Sequence, residues 1–275
     1  MRRVFYSIVA LVLMFVAMGC TTTPESKIIT IENGQFMRNG QPYYFVGTNF
    51  WYGAILGSEG EGGNRERLAK ELDFMKAHGI DNLRVLIGGE GENGLLGKIE
   101  PNLQPKPGEY NDEVLAGLDY LLMELGKRDM TAVLYFNNAW EWSGGYTQYV
   151  AWANNEPVLV PRVDGWFSYN TFAGEFVRNE RAKELYYNHI RYIVTRTNRY
   201  TGIKYIDDPA IFSWQISNEP RAFSSKEQDN KEAFAEWITT SAKLIRELDP
   251  NHMISTGSEG YYGCEWDMEL CEKIH

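Results

Sequence analysis

The stretch AIFSWQISNEPRAF, from Ala210 to Phe223, decides how the whole chain is interpreted. It begins as an apolar run of the kind that a buried strand shows. It ends in Asn218-Glu219-Pro220-Arg221, a polar cluster in which the proline cannot continue a strand's hydrogen-bond ladder. Barrels of alternating strands and helices build their active sites from polar residues at strand tips. The stretch therefore predicts a functional site at the C-terminal tip of a buried strand.

Apolar runs and amphipathic helices alternate along the chain on both sides of this stretch. The predicted strands are Tyr43–Asn49, Asn82–Ile87, Thr131–Asn137, Ala210–Ser217 and Met253–Thr256, and the predicted helices between them are Arg65–His78, Glu113–Arg128, Arg181–Arg199 and Asn230–Leu248. Such alternation is typical of parallel βαβ units. No Gly-x-Gly-x-x-Gly motif follows the first strand, which disfavours a dinucleotide-binding fold.

The pattern favours an α/β fold of the (β/α)8 TIM-barrel type, because polar residues recur at the ends of all five predicted strands. A complete barrel needs eight strands, so we expect an incomplete barrel with about the first five β/α units. Residues 28–275 are then the N-terminal part of a larger domain. A hairpin with Asn33-Gly34 at its turn is predicted to precede the barrel over Ile28–Met37.

A long insertion follows the third predicted strand and extends to about Val177. Loops of this length inside a compact domain are usually functional. The insertion carries four tryptophans, which predict one wall of a binding cleft: Trp140, Trp142, Trp152 and Trp166. Aromatic residues make up 14% of the chain, and they serve either as large core residues or as flat platforms for sugar rings.

Residues 1–20 have the pattern of an export signal. Arg2 and Arg3 precede an apolar segment from Ile8 to Met18, and Cys20 follows small residues, which resembles the lipobox of bacterial lipoproteins. A membrane-spanning helix is the alternative, but the apolar run is short for one. We expect lipidation at Cys20, a tether over residues 21–27, and an exported lipoprotein anchored at the periplasmic face or the cell surface.

Charge and composition exclude several other classes of function. The formal net charge of -10 disfavours nucleic acid as a partner, because a phosphate backbone requires a basic surface. The four histidines form no HExxH-type pair and no cysteine has a metal-binding spacing, so neither a metal nor a cofactor is predicted. Cys264 and Cys271 are seven positions apart, and whether they form a disulfide stays open.

The polar residues at the strand tips suit glycoside hydrolysis, which needs two carboxyl groups on either side of the scissile bond. Glu219 suits the acid that protonates the leaving group, and Asn218 suits a hydrogen bond to the sugar 2-hydroxyl. Arg84 lies inside an apolar strand. It either extends to solvent at the strand end or pairs with a catalytic carboxylate, and the barrel context favours the pairing.

Five segments in chain order resemble glycoside hydrolase family 5, in particular its endo-β-1,4-mannanase branch: GTNFWY (47–52), NLRV (82–85), NNAWEWSGG (137–145), SNEPR (217–221) and STGSEGYYG (255–263). The resemblance covers the chain from about residue 28 to its end. It implies a retaining enzyme on a (β/α)8 barrel that acts on β-mannan. It also implies Glu219 as acid/base, Asn218 as its hydrogen-bonding neighbour and Arg84 as a support for the nucleophile. The sugar contacts that it implies are Trp51, Asn137, Trp140, Arg221 and Glu259.

The chain departs from the family pattern in one important respect. In this family the nucleophile is a Glu at the end of the seventh strand, and that strand is not among the five predicted here. Glu259 is an alternative second carboxylate, although the family pattern makes it a substrate contact. We expect residues 1–275 alone to be inactive and the full-length protein to be active. The alternatives are a related β-1,4-glucanase, a β-mannosidase, or a glycan-binding lipoprotein without catalysis.

Overall fold

The computed structural model describes residues 27–275. The predicted export signal, Cys20 and all but the last residue of the tether lie outside the described residues. Two sheets organise the described part: an antiparallel sheet of three strands at the N-terminus and a parallel sheet of five strands. The small sheet contains β1 (Thr30–Glu32), β2 (Gln35–Arg38) and β3 (Gln41–Pro42). The large sheet contains β4 (Gly47–Asn49), β5 (Asn82–Leu86), β6 (Thr131–Tyr135), β7 (Ile211–Gln215) and β8 (Met253–Ser255).

Nine α-helices accompany these strands in the part of the chain that is described. They are α1 (Gly53–Gly57), α2 (Arg65–Ala77), α3 (Asp112–Lys127), α4 (Gly145–Asn154), α5 (Pro161–Asp164), α6 (Trp166–Gly174), α7 (Glu180–Val194), α8 (Lys231–Leu248) and α9 (Met268–Ile274). Asparagine side chains accept hydrogen bonds from the first-turn N–H groups of α2, α3 and α7, as expected for helix N-caps: Asn64, Asn111 and Asn179. The predicted helices therefore begin within one residue of their observed starts.

The five parallel strands lie in chain order, from β4 to β8. This order, with a helical connection between successive strands, agrees with part of the predicted (β/α) barrel. The register aligns Arg84 with Val133 and aligns Tyr135 with Gln215. Because side chains alternate between the faces of a strand, one face of the sheet is apolar and the other carries the polar groups of the site.

The apolar face of the sheet packs against helices and forms the core. Its strand residues alternate with the polar ones, and they share one continuous core with buried leucines of α3 and aromatics of α8. Leu83, Leu134 and Trp214 are fully buried on this face. Full burial of a large apolar side chain contributes about 1.5–3 kcal/mol. This continuous core fixes the five strands, and therefore their tips, relative to one another.

The N-terminal hairpin is confirmed, but the first barrel strand is shorter than predicted. Asn33 and Gly34 both have positive φ at the hairpin turn, as the type I′ geometry requires. The apolar run from Tyr43 to Val46 is not a strand. The ring of Phe45 instead packs edge-on against Phe212, at 4.9 Å between centroids. Tyr43 and Phe45 contact Phe212 near the N-terminal end of the sheet, opposite the candidate site, whereas Tyr44 and Val46 are exposed.

Two other predictions were wrong, one about the end of a helix and one about the insertion after β6. The helix predicted to reach Arg199 ends at Val194, because the chain then bends and both Arg196 and Arg199 form ion pairs with the fully buried Asp119. The insertion after β6 is not a loop. It folds into α4, α5 and α6, and buried aromatic residues of α4 pack against Phe176 and Tyr186.

The two outer strands of the parallel sheet each border a groove. The groove beside β4 has a volume of about 570 Å³ and reaches α2, and that beside β8 has a volume of about 790 Å³ and reaches α8. Phe74 and Met75 line the first groove, and Ile238 and Ile254 line the second. Among the described helices, none combines the length and the apolar character needed to cross a membrane.

Candidate active site

Backbone hydrogen bonds hold Glu219 at the C-terminal edge of the sheet. After β7, the N–H of Asn218 donates to the carbonyl of Asn137 at 2.7 Å, and the N–H of Glu219 donates to the carbonyl of Gly257 at 3.1 Å. Glu219 itself has φ of 49°, in the left-handed region that non-glycine residues rarely adopt. Such strain is concentrated at functional sites, where the surrounding structure maintains it.

Arg84 connects the tip of β7 to the two preceding strands of the sheet. Its Nε donates to Oε1 of Gln215 at 2.7 Å, and its Nη1 donates to Oδ1 of Asn218 at 2.9 Å. The guanidinium also lies over the ring of Tyr135, at 4.2 Å from the centroid. Burial lowers the pKa of Arg84, and the nearby Glu219 carboxylate opposes that shift. Arg84 is thus a partly buried cation held by two neutral amides, and its predicted pairing with a catalytic carboxylate stays a prediction.

The carboxylate of Glu219 contacts the insertion after β6. Oε2 of Glu219 accepts a hydrogen bond from the indole Nε1 of Trp140 at 2.5 Å. The Trp140 ring packs in turn against Tyr169, Trp166 and Phe223. The insertion therefore supplies both an aromatic surface beside the carboxylate and a donor that orients it.

Arg221 and Glu259 form an ion pair on the other side of Trp140. Two guanidinium nitrogens, Nε and Nη2, contact Oε2 of Glu259 at 2.7 and 2.5 Å. The same guanidinium lies 4.8 Å from the ring centroid of Trp140 and 4.5 Å from that of Tyr262. The two rings and the ion pair form a half-buried polar and aromatic surface, of the kind that binds sugar rings.

Four tryptophans were predicted to form a wall of the cleft, and the structure separates them. Trp140 and Trp166 form an edge-to-face pair near Glu219. Trp142 instead pairs with Trp51, 5.7 Å away between centroids, after the end of β4. Trp152 lies on α4 and packs against the buried Tyr149. The first two pairs are placed to contact a ligand at the strand tips, whereas Trp152 supports α4.

Asn137 and Asn138 are adjacent but have different surroundings. Asn137 was predicted to contact sugar; its side chain is fully buried, and its Nδ2 has no hydrogen-bond partner. Oδ1 of Asn138 accepts from Nδ2 of Asn218 at 3.0 Å. Asn138 therefore belongs to the chain of polar contacts that ends at Arg84, and the sequence prediction omitted it. The role of Asn137 as a sugar contact stays a prediction.

Gln215 and Tyr135 were also missed, although the register of the sheet brings both to Arg84. The sequence pattern that could have identified them is the period-2 alternation of the strands, which places residues 84, 133 and 135 on one face. A polar glutamine in an otherwise apolar β7 was a second signal. These residues hold the guanidinium, and thereby hold Asn218 next to the catalytic candidate.

Glu90 lies behind the insertion and was not predicted to matter. Its Oε2 accepts from the N–H of Gly145 at 3.0 Å, and its own N–H donates to the carbonyl of Ser143. Burial raises the pKa of the Glu90 carboxyl to about 7, and burial lowers the pKa of nearby Lys98 to about 8. Glu90 therefore fixes the turn that follows Trp140.

The two described cysteines are free thiols, so the open question of a disulfide is answered for this structure. The spacing of the cysteines in the sequence predicted no metal-binding arrangement, but the fold brings three possible ligands together. Cys264, Cys271 and His275 have ligand atoms that all lie within 4.8 Å of one another. The sequence spacing concealed this cluster because Cys264 lies in a bend before α9, whereas the other two residues lie along that helix and at its end.

Comparison with known proteins defines the class of this chain. Residues 26–275 match the family described as GH family 5 beta-mannosidase-like. A solved glycoside hydrolase family 5 mannosidase from Rhizomucor miehei superimposes with a TM-score of 0.81 at 34% identity, covering 91% of this chain and 59% of that one. The endo-1,4-beta-mannanase of the same organism gives 0.65 at 25% identity, covering 85% of this chain and 61% of that one.

Curated relatives agree with these structural matches. Mannan endo-1,4-beta-mannosidase 7 of Arabidopsis thaliana is 30% identical, covering 90% of this chain and 52% of the relative. Mannan endo-1,4-beta-mannosidase 1 of Solanum lycopersicum is also 30% identical, covering 93% and 58% respectively. The chain thus spans little more than half the length of the curated relatives that it matches.

The family match over residues 26–275 and the fold shared with the solved mannosidase agree with each other. The chain belongs to glycoside hydrolase family 5, in the β-mannosidase-like group.

Proposed function

We propose that this chain is the acid/base-bearing part of a retaining enzyme that hydrolyses internal β-1,4-mannosidic bonds in mannan-type polysaccharides. The observation that carries the proposal is the position of Glu219 at the tip of β7, hydrogen-bonded to Trp140 and adjacent to the Asn218–Arg84 pair. A half-buried carboxyl beside aromatic rings is suited to protonate a glycosidic oxygen. The resemblance to mannan endo-1,4-beta-mannosidases supports mannan as the substrate.

The proposed reaction has two steps. In the first, the protonated Glu219 donates its proton to the glycosidic oxygen while a second carboxylate attacks the anomeric carbon, and the leaving sugar departs. In the second, the ionised Glu219 removes a proton from water, which displaces the second carboxylate and restores it. Asn218 is held by Arg84 and Asn138 so that its amide faces the sugar 2-hydroxyl.

We further propose that the second carboxylate comes from sequence outside these 275 residues. Glu259 is the alternative that the sequence offers after the neighbouring strand, but two nitrogens of Arg221 already contact its carboxylate. A carboxylate neutralised in this way is a weak nucleophile. It is better suited to orient Arg221 toward the leaving-group sugars.

An assay of two proteins tests whether the second carboxylate lies outside these 275 residues. The 275-residue chain should give no turnover on soluble mannan, and the protein encoded by the complete gene should release manno-oligosaccharides. Glu219→Ala in the complete protein should lower kcat by about 10²- to 10⁴-fold, the usual contribution of general acid–base catalysis. Clear turnover by the 275-residue chain would contradict the assignment of an external nucleophile.

Removal of single mannose units from chain ends is the second candidate activity. The observation that favours it is the closer structural match to the Rhizomucor miehei mannosidase than to the endo-mannanase, with TM-scores of 0.81 and 0.65. The two activities give different products. Endo action lowers the viscosity of mannan before much mannose appears, whereas exo action releases mannose from the start.

A glycan-binding protein without catalysis is the alternative from a different class. It would use the aromatic rings but would not need Glu219, Asn218 and Arg84 in their observed arrangement. In the complete protein, Glu219→Ala should retain mannan binding and lose hydrolysis. Unchanged hydrolysis would remove Glu219 from the catalytic role.

Lipidation at Cys20, export and membrane anchoring are a separate proposal, which rests on the sequence of residues 1–20 alone. Labelling of producing cells with a radioactive fatty acid should mark the wild-type protein and not Cys20→Ser. The variant should also move from the membrane fraction to the soluble exported fraction. Equal labelling of both proteins would refute the assignment of Cys20.

A further inference from the structure

Two thiols and an imidazole converge where the last described helix begins and ends. Cys264 lies in the bend that follows β8, Cys271 lies in α9, and His275 follows the last helical residue. Their ligand atoms all lie within 4.8 Å of one another. Sγ of Cys271 and Nδ1 of His275 are 3.7 Å apart. Cys264 is buried, Cys271 is half-buried and His275 is exposed, so a ligand enters from the His275 side.

The separation between the Cys271 thiol and the His275 imidazole suits one tetrahedral cation. Zinc lies at about 2.3 Å from a thiolate and about 2.0–2.1 Å from an imidazole nitrogen, which places its ligand atoms roughly 3.5–3.8 Å apart. The observed thiol–imidazole distance of 3.7 Å falls in this range. Cys271 and His275 are four positions apart in sequence, and residues with this spacing lie on the same face of a helix.

We propose that Cys264, Cys271 and His275 form a binding site for a thiophilic divalent cation of the zinc class, with water as the fourth ligand. Binding releases the two thiol protons to solvent. It also requires the imidazole proton on Nε2, because Nδ1, which now lies 2.9 Å from the carbonyl oxygen of Cys271, becomes the ligand. This site is separate from the proposed acid/base and carries no step of the hydrolysis.

The cation would brace the segment that carries Glu259. Cys264 follows Tyr262, whose ring covers Arg221, and the carboxylate of Glu265 accepts from the N–H of Ser224 at 2.8 Å. The segment from Thr256 to Asp267 thus connects the sugar-contacting surface to α9. A metal that joins Cys264 to α9 would fix the far end of this segment.

Cobalt(II) titration of the reduced 275-residue chain tests the proposal, because thiolate coordination produces a charge-transfer absorption in the near ultraviolet. A Cys20→Ser background ensures that every thiolate signal comes from the two described cysteines. One cobalt per chain should bind, and one equivalent of zinc should displace it. Cys264→Ser and Cys271→Ser should each lower the charge-transfer intensity by about half and the cobalt affinity by more than about tenfold.

His275→Ala should retain the thiolate absorption and lower the cobalt affinity by a similar factor. His78→Ala is the matched control, since His78 is an exposed histidine that also follows a helix, at the end of α2. It should leave the affinity unchanged. If a cysteine variant fails to fold, alkylation of Cys271 in the unsubstituted protein replaces it, and zinc should slow that alkylation. Absence of the thiolate absorption, or alkylation that zinc does not change, would overturn the proposal.

Discussion

The indole nitrogen of Trp140 donates to the carboxylate of Glu219 at 2.5 Å, although the two residues are 79 positions apart in sequence. One comes from the insertion after β6 and the other from the tip of β7. The same tryptophan ring packs beneath the guanidinium of Arg221. One aromatic side chain therefore connects the proposed acid/base to the residues that are placed to bind sugar.

Trp140→Phe tests the importance of this donor. The substitution keeps an aromatic ring and removes the N–H, and a hydrogen bond to a charged group contributes about 1.5–3 kcal/mol. We expect kcat of the complete protein on mannan to fall by about ten- to a hundredfold. Trp166→Phe is the control, because Trp166 touches Trp140 edge-on and does not contact Glu219. Equal losses of kcat in the two variants would show that the size of the indole ring, rather than the hydrogen bond to Glu219, determines the effect.

The left-handed backbone of Glu219 predicts a cost in stability. A non-glycine residue in this conformation costs about 1–2 kcal/mol, and glycine avoids most of that cost. We expect Glu219→Gly to be more stable than Glu219→Ala by about 1 kcal/mol, measured by urea denaturation of the 275-residue chain. Both variants remove the same carboxylate, so their difference isolates the backbone. An alanine variant as stable as the glycine variant would contradict this account.

Gly257 provides a test of how closely β8 approaches β7. A Cβ at this position would lie 1.9 Å from the carbonyl oxygen of Ser217, whereas a Cβ at Gly260 would meet nothing within 4 Å. Both glycines have positive φ, so alanine imposes similar backbone strain at each. Gly260→Ala should cost about 1–2 kcal/mol of unfolding free energy. Gly257→Ala should cost more, because the backbone of the tip must also shift, and equal costs would refute the close approach.

Buried Glu90 predicts a pH dependence of stability. Its carboxyl has a pKa of about 7 in the folded state, against 4.5 for the ordinary group, so the folded state holds more protons between these values. Stability should therefore fall as pH rises through this window, by at most about 1.4 kcal/mol per pH unit. Lys98, with its pKa lowered to about 8, should restore stability only at higher pH.

Glu90→Gln should remove the loss of stability between about pH 5 and about pH 7, because the amide stays neutral. Urea denaturation at several pH values measures the effect. Glu61→Gln is the control, since Glu61 is exposed. A Glu90→Gln profile parallel to that of the unsubstituted chain would show that Glu90 does not cause the dependence.

Arg221→Lys should weaken binding of manno-oligosaccharides to the 275-residue chain. Lysine keeps the charge but loses the planar contact with the rings of Trp140 and Tyr262 and the two-nitrogen contact with Glu259. We expect a loss of about 1–2 kcal/mol in binding, measured by calorimetry. Arg191→Lys is the control, because Arg191 pairs with Glu184 on the exposed face of α7. Equal affinities of the two variants would exclude Arg221 from the sugar surface.

The sequence predicted the strand tips well, because an apolar run followed by a polar cluster is typical of a buried strand that ends at the functional edge of a parallel sheet. Its errors have physical causes. In the run from Tyr43 to Val46, Tyr43 and Phe45 pack on Phe212, and apolar content alone does not distinguish a strand from a segment that packs on one. The end of the helix at Val194 depends on Asp119, which lies in another helix and is invisible to a local pattern.

The candidate site was predictable in its strand-tip residues and less so in their partners. Glu219, Arg84 and Trp140 were named from sequence, and the structure joins them in one region through Asn218 and its contacts. Asn137 and Asn138 differ by one position, and one position decides whether a side chain faces the core or the site. The thiol–imidazole cluster depends on a bend before α9 that no spacing rule describes.

Main-chain groups, in addition to side chains, hold the tip of β7 against its neighbours. The N–H of Asn218 donates to the carbonyl of Asn137, and the N–H of Glu219 donates to that of Gly257. Every amino acid except proline supplies both groups, so these two hydrogen bonds do not depend on which side chains occupy the tip. Evolution can therefore vary those side chains while the main chain of the tip keeps its place against its neighbours.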